Sequence, residues 1–153
     1  MELATLVTTL IACGTLATAV AAAGFPADVA KALAGEPDYI YVATRRADGT
    51  PSKVVPVWFT TIDDAIYFST GPSSYKAKRI AKGSPVLVSV GAETGPRFEG
   101  RAELVRDPDL AARMGELYNR KYWIAWLGFF RPRADRVASG KTILVKVSPP
   151  ATR

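Results

Sequence analysis

The spacing of apolar residues changes repeatedly along this chain, and the changes mark out its elements. Tyr39 to Arg46 is a nearly continuous apolar run, ended by the turn cluster Asp48, Gly49, Thr50 and Pro51. Lys53 to Thr60 reads as a second strand with Pro56 inside it, and Asp63 and Asp64 turn the chain into a third, Ala65 to Ser69. Val86 to Val90 is the fourth. Arg97 to Val105 alternates, with Phe98, Gly100, Ala102 and Leu104 on one face and charges on the other, which marks a half-buried strand. Thr142 to Val147 is the sixth. Helical signals interrupt these strands. Pro26 to Ala34 is a short helix closed by Gly35, and Tyr75 to Lys82 is another, stopped by Gly83, Ser84 and Pro85. Asp107 and Pro108 open a third, with an acid at the N-cap and proline at the first position. Leu110, Met114, Leu117 and Tyr118 share one face of it. Six mostly antiparallel strands with inserted helices predict a mainly β fold, a closed or nearly closed barrel over residues 25–150.

Leu3 to Ala27 contains no charged residue, which is long enough to cross a bilayer. Three readings compete for residues 1–24. A membrane anchor fits the length, and Lys31, Arg45 and Arg46 after it favour a domain on the cytoplasmic side. An export signal fits the small residues Ala19, Ala21 and Ala23, although no basic segment precedes them. A helix packed on a cytosolic domain is the third. The expectation adopted is membrane association through residues 3–27.

Composition narrows the chemistry. The chain of 153 residues suits one domain, and 48% apolar content is enough for a core. Twenty Lys and Arg against 14 Asp and Glu leave a formal charge of +6, which attracts anions. There is no histidine, and Cys13 is the sole cysteine. A Ser-His-Asp triad, a His-bearing zinc site, His-ligated haem and CxxC chemistry are therefore outside this chain's means. The expectation is no metal and no haem, so redox chemistry here needs an organic cofactor. Tyr39, Tyr41, Trp58, Tyr67 and Phe68 sit in apolar runs rather than among charges, so nucleic acid is not expected as a partner.

Two stretches carry candidate chemistry. Ser69 and Thr70 end a strand, and after a loop Ser74, Tyr75 and Lys76 open a basic helix. Hydroxyls, free N–H groups and a lysine there suit a phosphate, although a plain serine N-cap before a solvated helix has the same pattern. Pro56 removes a ladder donor, so Val54 to Val57 is either an opening in the sheet for a planar ligand or a guarded edge. The aromatic stretch from Tyr118 to Phe130 suits a core, a ring-binding wall or a subunit contact, and Arg131, Arg133 and Arg136 after it suit an anionic tail or solvent.

Taken together, three passages resemble the pyridoxamine 5′-phosphate oxidase-like split β-barrel family of FMN and deazaflavin (F420) proteins. They are Val42 to Pro51, Val55-Pro56-Val57-Trp58-Phe59, and Ile66 to Thr70 with Ser74 to Ile80; the match runs from about Pro26 to Pro149. The resemblance implies a six-stranded antiparallel split barrel and a homodimer with the cofactor at the subunit interface. It also implies that Val54, Val55, Pro56 and Val57 lie along the ring, and that Ser69, Thr70, Ser74, Tyr75 and Lys76 hold the phosphate. The Pro-Val-Trp-Phe strand is most similar to the F420-using branch, while FMN users share most of the pattern. The implied function is an oxidoreductase passing a hydride to or from a small organic substrate. The alternative is a non-catalytic flavin or deazaflavin carrier. Tyr118 and Tyr122 are the candidates for proton donation beside a reduced ring.

Overall fold

A computed structural model of the chain describes residues 24–128 and 130–150. The alternating stretch forms one long strand as expected, Arg97–Val105, with Phe98 and Gly100 buried and Arg97, Glu99 and Arg101 exposed. In chain order the elements are α1 (Ala27–Ala34), β1 (Ile40–Thr44), β2 (Val55–Val57), β3 (Thr60–Ile62), β4 (Ala65–Thr70), α2 (Tyr75–Ala81), β5 (Val86–Val90), β6 (Arg97–Val105), α3 (Pro108–Lys121), α4 (Ala134–Ala138) and β7 (Ile143–Ser148). A single 3-10 turn, Ala125–Leu127, separates α3 from α4.

The strands form one antiparallel sheet in the order β2-β1-β5-β6-β7-β4-β3. β2 and β3 are its two edges, yet only Trp58 and Phe59 separate them in the chain. That short link forces the edges together, so the sheet curls into a split barrel. Among the described residues the count is seven strands rather than six, because Lys53 to Thr60 is not one strand. Its pairing with β1 stops at Val57 and a new pairing with β4 starts at Thr60. Tyrosine hydroxyls serve the link's backbone in place of a strand. Tyr118 Oη donates to the Trp58 carbonyl at 2.8 Å, and Tyr122 Oη accepts from the Phe59 N–H at 3.1 Å.

β4 and β7 are covered on both faces, which explains their unbroken apolar runs. Phe68 and Val145 face the barrel interior with Val42, Val88 and Phe98, and Val29 of α1 closes one end. Tyr67 and Leu144 face outward against Met114 and Tyr118 of α3. Asp107 caps α3 by accepting from the N–H groups of Asp109 (2.9 Å) and Leu110 (3.1 Å), with Pro108 at the first position. At Gly100 β6 passes so close to β7 that a Cβ would lie 2.5 Å from Val147 Cγ1 and 2.6 Å from the Ser148 carbonyl. The arginine-rich stretch after Phe130 contains α4, whose N-cap Arg133 makes no side-chain cap and so leaves no sequence signal.

The membrane-anchored placement needs correction. Among the described residues no helix is long and apolar enough to cross a membrane. The end of the uncharged stretch packs on the barrel instead: Phe25 meets Phe98 edge-on at 5.2 Å, and Ala27 begins an eight-residue helix. Residues 3–23 of that stretch lie outside the described residues.

Candidate functional site

A cleft of ≈ 730 Å³ opens beside the seam of the barrel. Pro56 and Val57 of β2 line it with Trp58 of the link, and so do Ser69, Thr70 and Gly71 at the end of β4. Thr142 joins them, because β4 and β7 pair with Thr70 opposite Ile143. The remaining wall includes Tyr39, Tyr118, Phe130 and the cations Arg131, Arg133, Arg136 and Lys141. β2 is an edge with β1 as its hydrogen-bonded neighbour, so one side of its backbone is open. Trp58 is held rigidly: its ring stacks on Tyr122 at 4.3 Å with 6° between planes, and meets Tyr118 and Phe130 edge-on at 6.2 and 5.8 Å.

The electrostatics favour an anion. Basic side chains line the cleft and no carboxylate does. Arg133 is paired with Asp135 at 3.0 Å, and Arg136 Nε donates to Thr142 Oγ1 at 3.2 Å. Arg131 is different: Nη1 donates to Asn119 Oδ1 at 3.3 Å, but its buried Nε has no acceptor among the described residues. A buried donor without a partner is unusual in a folded chain and suits a ligand bearing acceptor oxygens. Hydroxyls, a fixed aromatic wall, an open strand edge and that arginine together fit a planar ring with an anionic tail.

The residues expected at a cofactor site divide. Pro56, Val57, Ser69 and Thr70 come together in the cleft, whereas Val54, Val55, Ser74, Tyr75 and Lys76 stand outside its lining. Val55 packs against the barrel core. Ser74 Oγ accepts from the Ala77 N–H at 3.1 Å and lies 3.2 Å from Thr70 Oγ1, so it caps α2. Lys76 is half-buried with Nζ 5.9 Å from the Phe68 ring centroid, and burial lowers its pKa. Tyr75 is exposed and lines a separate groove.

Both candidate proton donors have their hydroxyls tied to backbone. Tyr122 Oη donates to the Asp38 carbonyl at 2.8 Å, with the Phe59 carbonyl at 3.1 Å, and Tyr118 donates to Trp58 as described. Burial raises the pKa of each, so both stay neutral near pH 7. Neighbouring Lys121 lies over the Phe59 ring at 3.5 Å, and burial pushes its pKa down to about 8 against the pull of Asp38 and Glu36. Nothing in the sequence marks Lys141 or Thr142 as site residues. Their place in the cleft depends on β7 pairing with β4, which no local pattern shows.

A split barrel with a cleft at its seam lined by cationic side chains defines the class of protein. The chain belongs to the pyridoxamine 5′-phosphate oxidase family, whose model matches residues 25–149. No curated protein matches it. Among solved structures, an F420 reductase is 27% identical, covers 75% of this chain and 88% of its own, and superposes with a TM-score of 0.52. A putative pyridoxamine 5′-phosphate oxidase from Listeria innocua is 17% identical, with 82% and 94% covered and a TM-score of 0.58. The haem storage protein HutZ from Vibrio cholerae is 16% identical, with 81% and 89% covered and a TM-score of 0.57. The last two show the shared fold.

Proposed function

We propose that the cleft binds a flavin-type cofactor, FMN or the deazaflavin F420, and that the protein is an oxidoreductase for hydride transfer to or from a small organic substrate. The observation that carries this reading is the cleft itself, where an open strand edge at Pro56 and Val57 meets hydroxyls and the unpaired buried Nε of Arg131. Likeness to an F420 reductase supports the deazaflavin, and family membership supports FMN equally. When bound, such a cofactor accepts and returns a hydride at its ring.

The chain's own part is binding and orientation. Pro56 and Val57 offer the ring a flat edge, and the held Trp58 excludes water from it. Ser69, Thr70 and Thr142 supply hydroxyls, while Arg131, Arg136 and Lys141 take the anionic end. Tyr118 and Tyr122 act as struts for the link, because their protons are committed to carbonyls. Assembly as a homodimer with the cofactor between subunits is part of the proposal. The exposed Trp123 and Trp126, with the exposed Phe130 of the cleft wall, support it, and a sedimentation run giving a strict monomer with full cofactor affinity would remove it.

The test loads the protein with reduced FMN or F420 and mixes it with a quinone acceptor in a single turnover. Oxidation faster than that of the free cofactor supports the oxidoreductase. Tight binding with no acceleration by any acceptor supports the carrier reading instead, and no binding removes both.

A further inference from the structure

A second groove, of ≈ 570 Å³, gathers positive charge away from the cleft. Arg45, Arg46, Tyr75, Lys78, Arg79 and Lys82 line it, together with the turn at Gly83 and Ser84. Its cations come from two separate stretches, the segment just after β1 and the α2 helix with its following turn. No carboxylate lines it. Arg45 is ion-paired with Glu99, and Asp48 lies near Arg46, but Asp48 is committed to the Thr50 N–H (2.9 Å) and hydroxyl (2.6 Å). Arg46, Lys78, Arg79 and Lys82 form no ion pair among the described residues. Arg46 Nη1 donates to Thr50 Oγ1 and the Pro51 carbonyl, and Arg79 Nη1 to Thr44 Oγ1, all neutral acceptors.

The Tyr75 ring orders part of this set. Although 75% exposed, it has Lys78 Nζ at 5.6 Å and Arg79 Cζ at 5.5 Å from its centroid. Basic residues in the last turn of a helix complement its dipole, which accounts for Lys78 and Arg79 taken alone. It does not account for the two arginines that follow β1 meeting them in one groove. Like charges brought together oppose folding unless an anion relieves them.

We propose that this groove is a second ligand site, distinct from the cleft, for a small molecule carrying a diphosphate group. One phosphoryl group meets the arginine side at Arg46, where a fork of donors suits its oxygens, and the other meets Lys78 and Lys82 as point charges. Two phosphoryl groups give each stretch its own charged partner.

The experiment titrates inorganic pyrophosphate into the ¹⁵N-labelled full-length chain, beside a Lys78→Gln, Lys82→Gln double variant. Both lysines are exposed, so circular dichroism should confirm an unchanged fold. Saturable one-to-one shifts in the amides of Ala47, Gly83 and Ser84, weakened at least about ten-fold in the variant, support the site. Absence of saturation, shifts confined to the cleft, or less than a two-fold change in the variant overturns it. A parallel titration with FMN separates the two sites. FMN affinity within two-fold of wild type keeps the groove independent, whereas a loss matching that for pyrophosphate makes it one end of the cofactor site and overturns the proposal. The pyrophosphate result stands even if FMN does not bind.

Discussion

Tyr122→Phe deletes one oxygen atom from the place where the barrel's two edges meet. The side chain is 5% exposed, and its ring keeps the stack on Trp58 in the variant. What disappears is the bond donated to the Asp38 carbonyl and the acceptor for the Phe59 N–H. Leaving a buried backbone group unpaired costs roughly 1–3 kcal/mol, so two such groups set the loss at about 2–6 kcal/mol. Tyr118→Phe removes one bond, to the Trp58 carbonyl, and should cost about 1–3 kcal/mol by the same reasoning. Urea denaturation followed by tryptophan fluorescence measures both, and unchanged slopes would show that the denatured states are comparable. A Tyr122→Phe loss below about 0.5 kcal/mol, or a larger loss for Tyr118→Phe, would refute the claim that these hydroxyls hold the link together.

Other outcomes follow from the same geometry. Gly100→Ala places a Cβ within 2.5 Å of Val147 Cγ1 and should cost about 1–3 kcal/mol, read as a lowered urea midpoint. Asp107→Ala removes the cap of α3 and should cost about 1 kcal/mol, while Asp107→Ser should recover most of it. Stability should also vary with pH in two phases. Lys121, held near 8 against an ordinary 10.5, binds fewer protons folded than unfolded between those values, so stability rises with pH across that window. Tyr118 and Tyr122 keep protons that the unfolded chain loses above pH 10, so stability falls there. Denaturation midpoints at pH 7 to 11 check both phases, and Lys121→Met should abolish the rise alone.

Signals that live within one element were legible in the sequence. The period of β6 and the Asp107-Pro108 start of α3 are local, and both elements formed as read. The continuous apolar runs of β4 and β7 reflect cover on two faces, which their composition already carried. The split of Lys53 to Thr60 into two edge strands was not legible, because the hydroxyls that replace strand pairing come from Tyr118 and Tyr122, some 60 positions away. The candidate site was half legible for a similar reason. Pro56, Ser69 and Thr70 lie on strands whose ends meet in the cleft, but Ser74 serves as a helix cap and Tyr75 points to a different groove. The Arg131 to Arg136 run reads the same whether solvated or lining a wall, and only the fold distinguishes these.

The most direct test of the central claim is a fluorescence titration of the full chain with FMN and with F420, alongside Arg131→Met. The account predicts saturable binding of one of them, weakened roughly ten-fold by removing the arginine whose buried Nε lacks an acceptor. Binding of neither cofactor, or binding that Arg131→Met leaves unchanged, would contradict the assignment of this cleft as the flavin site.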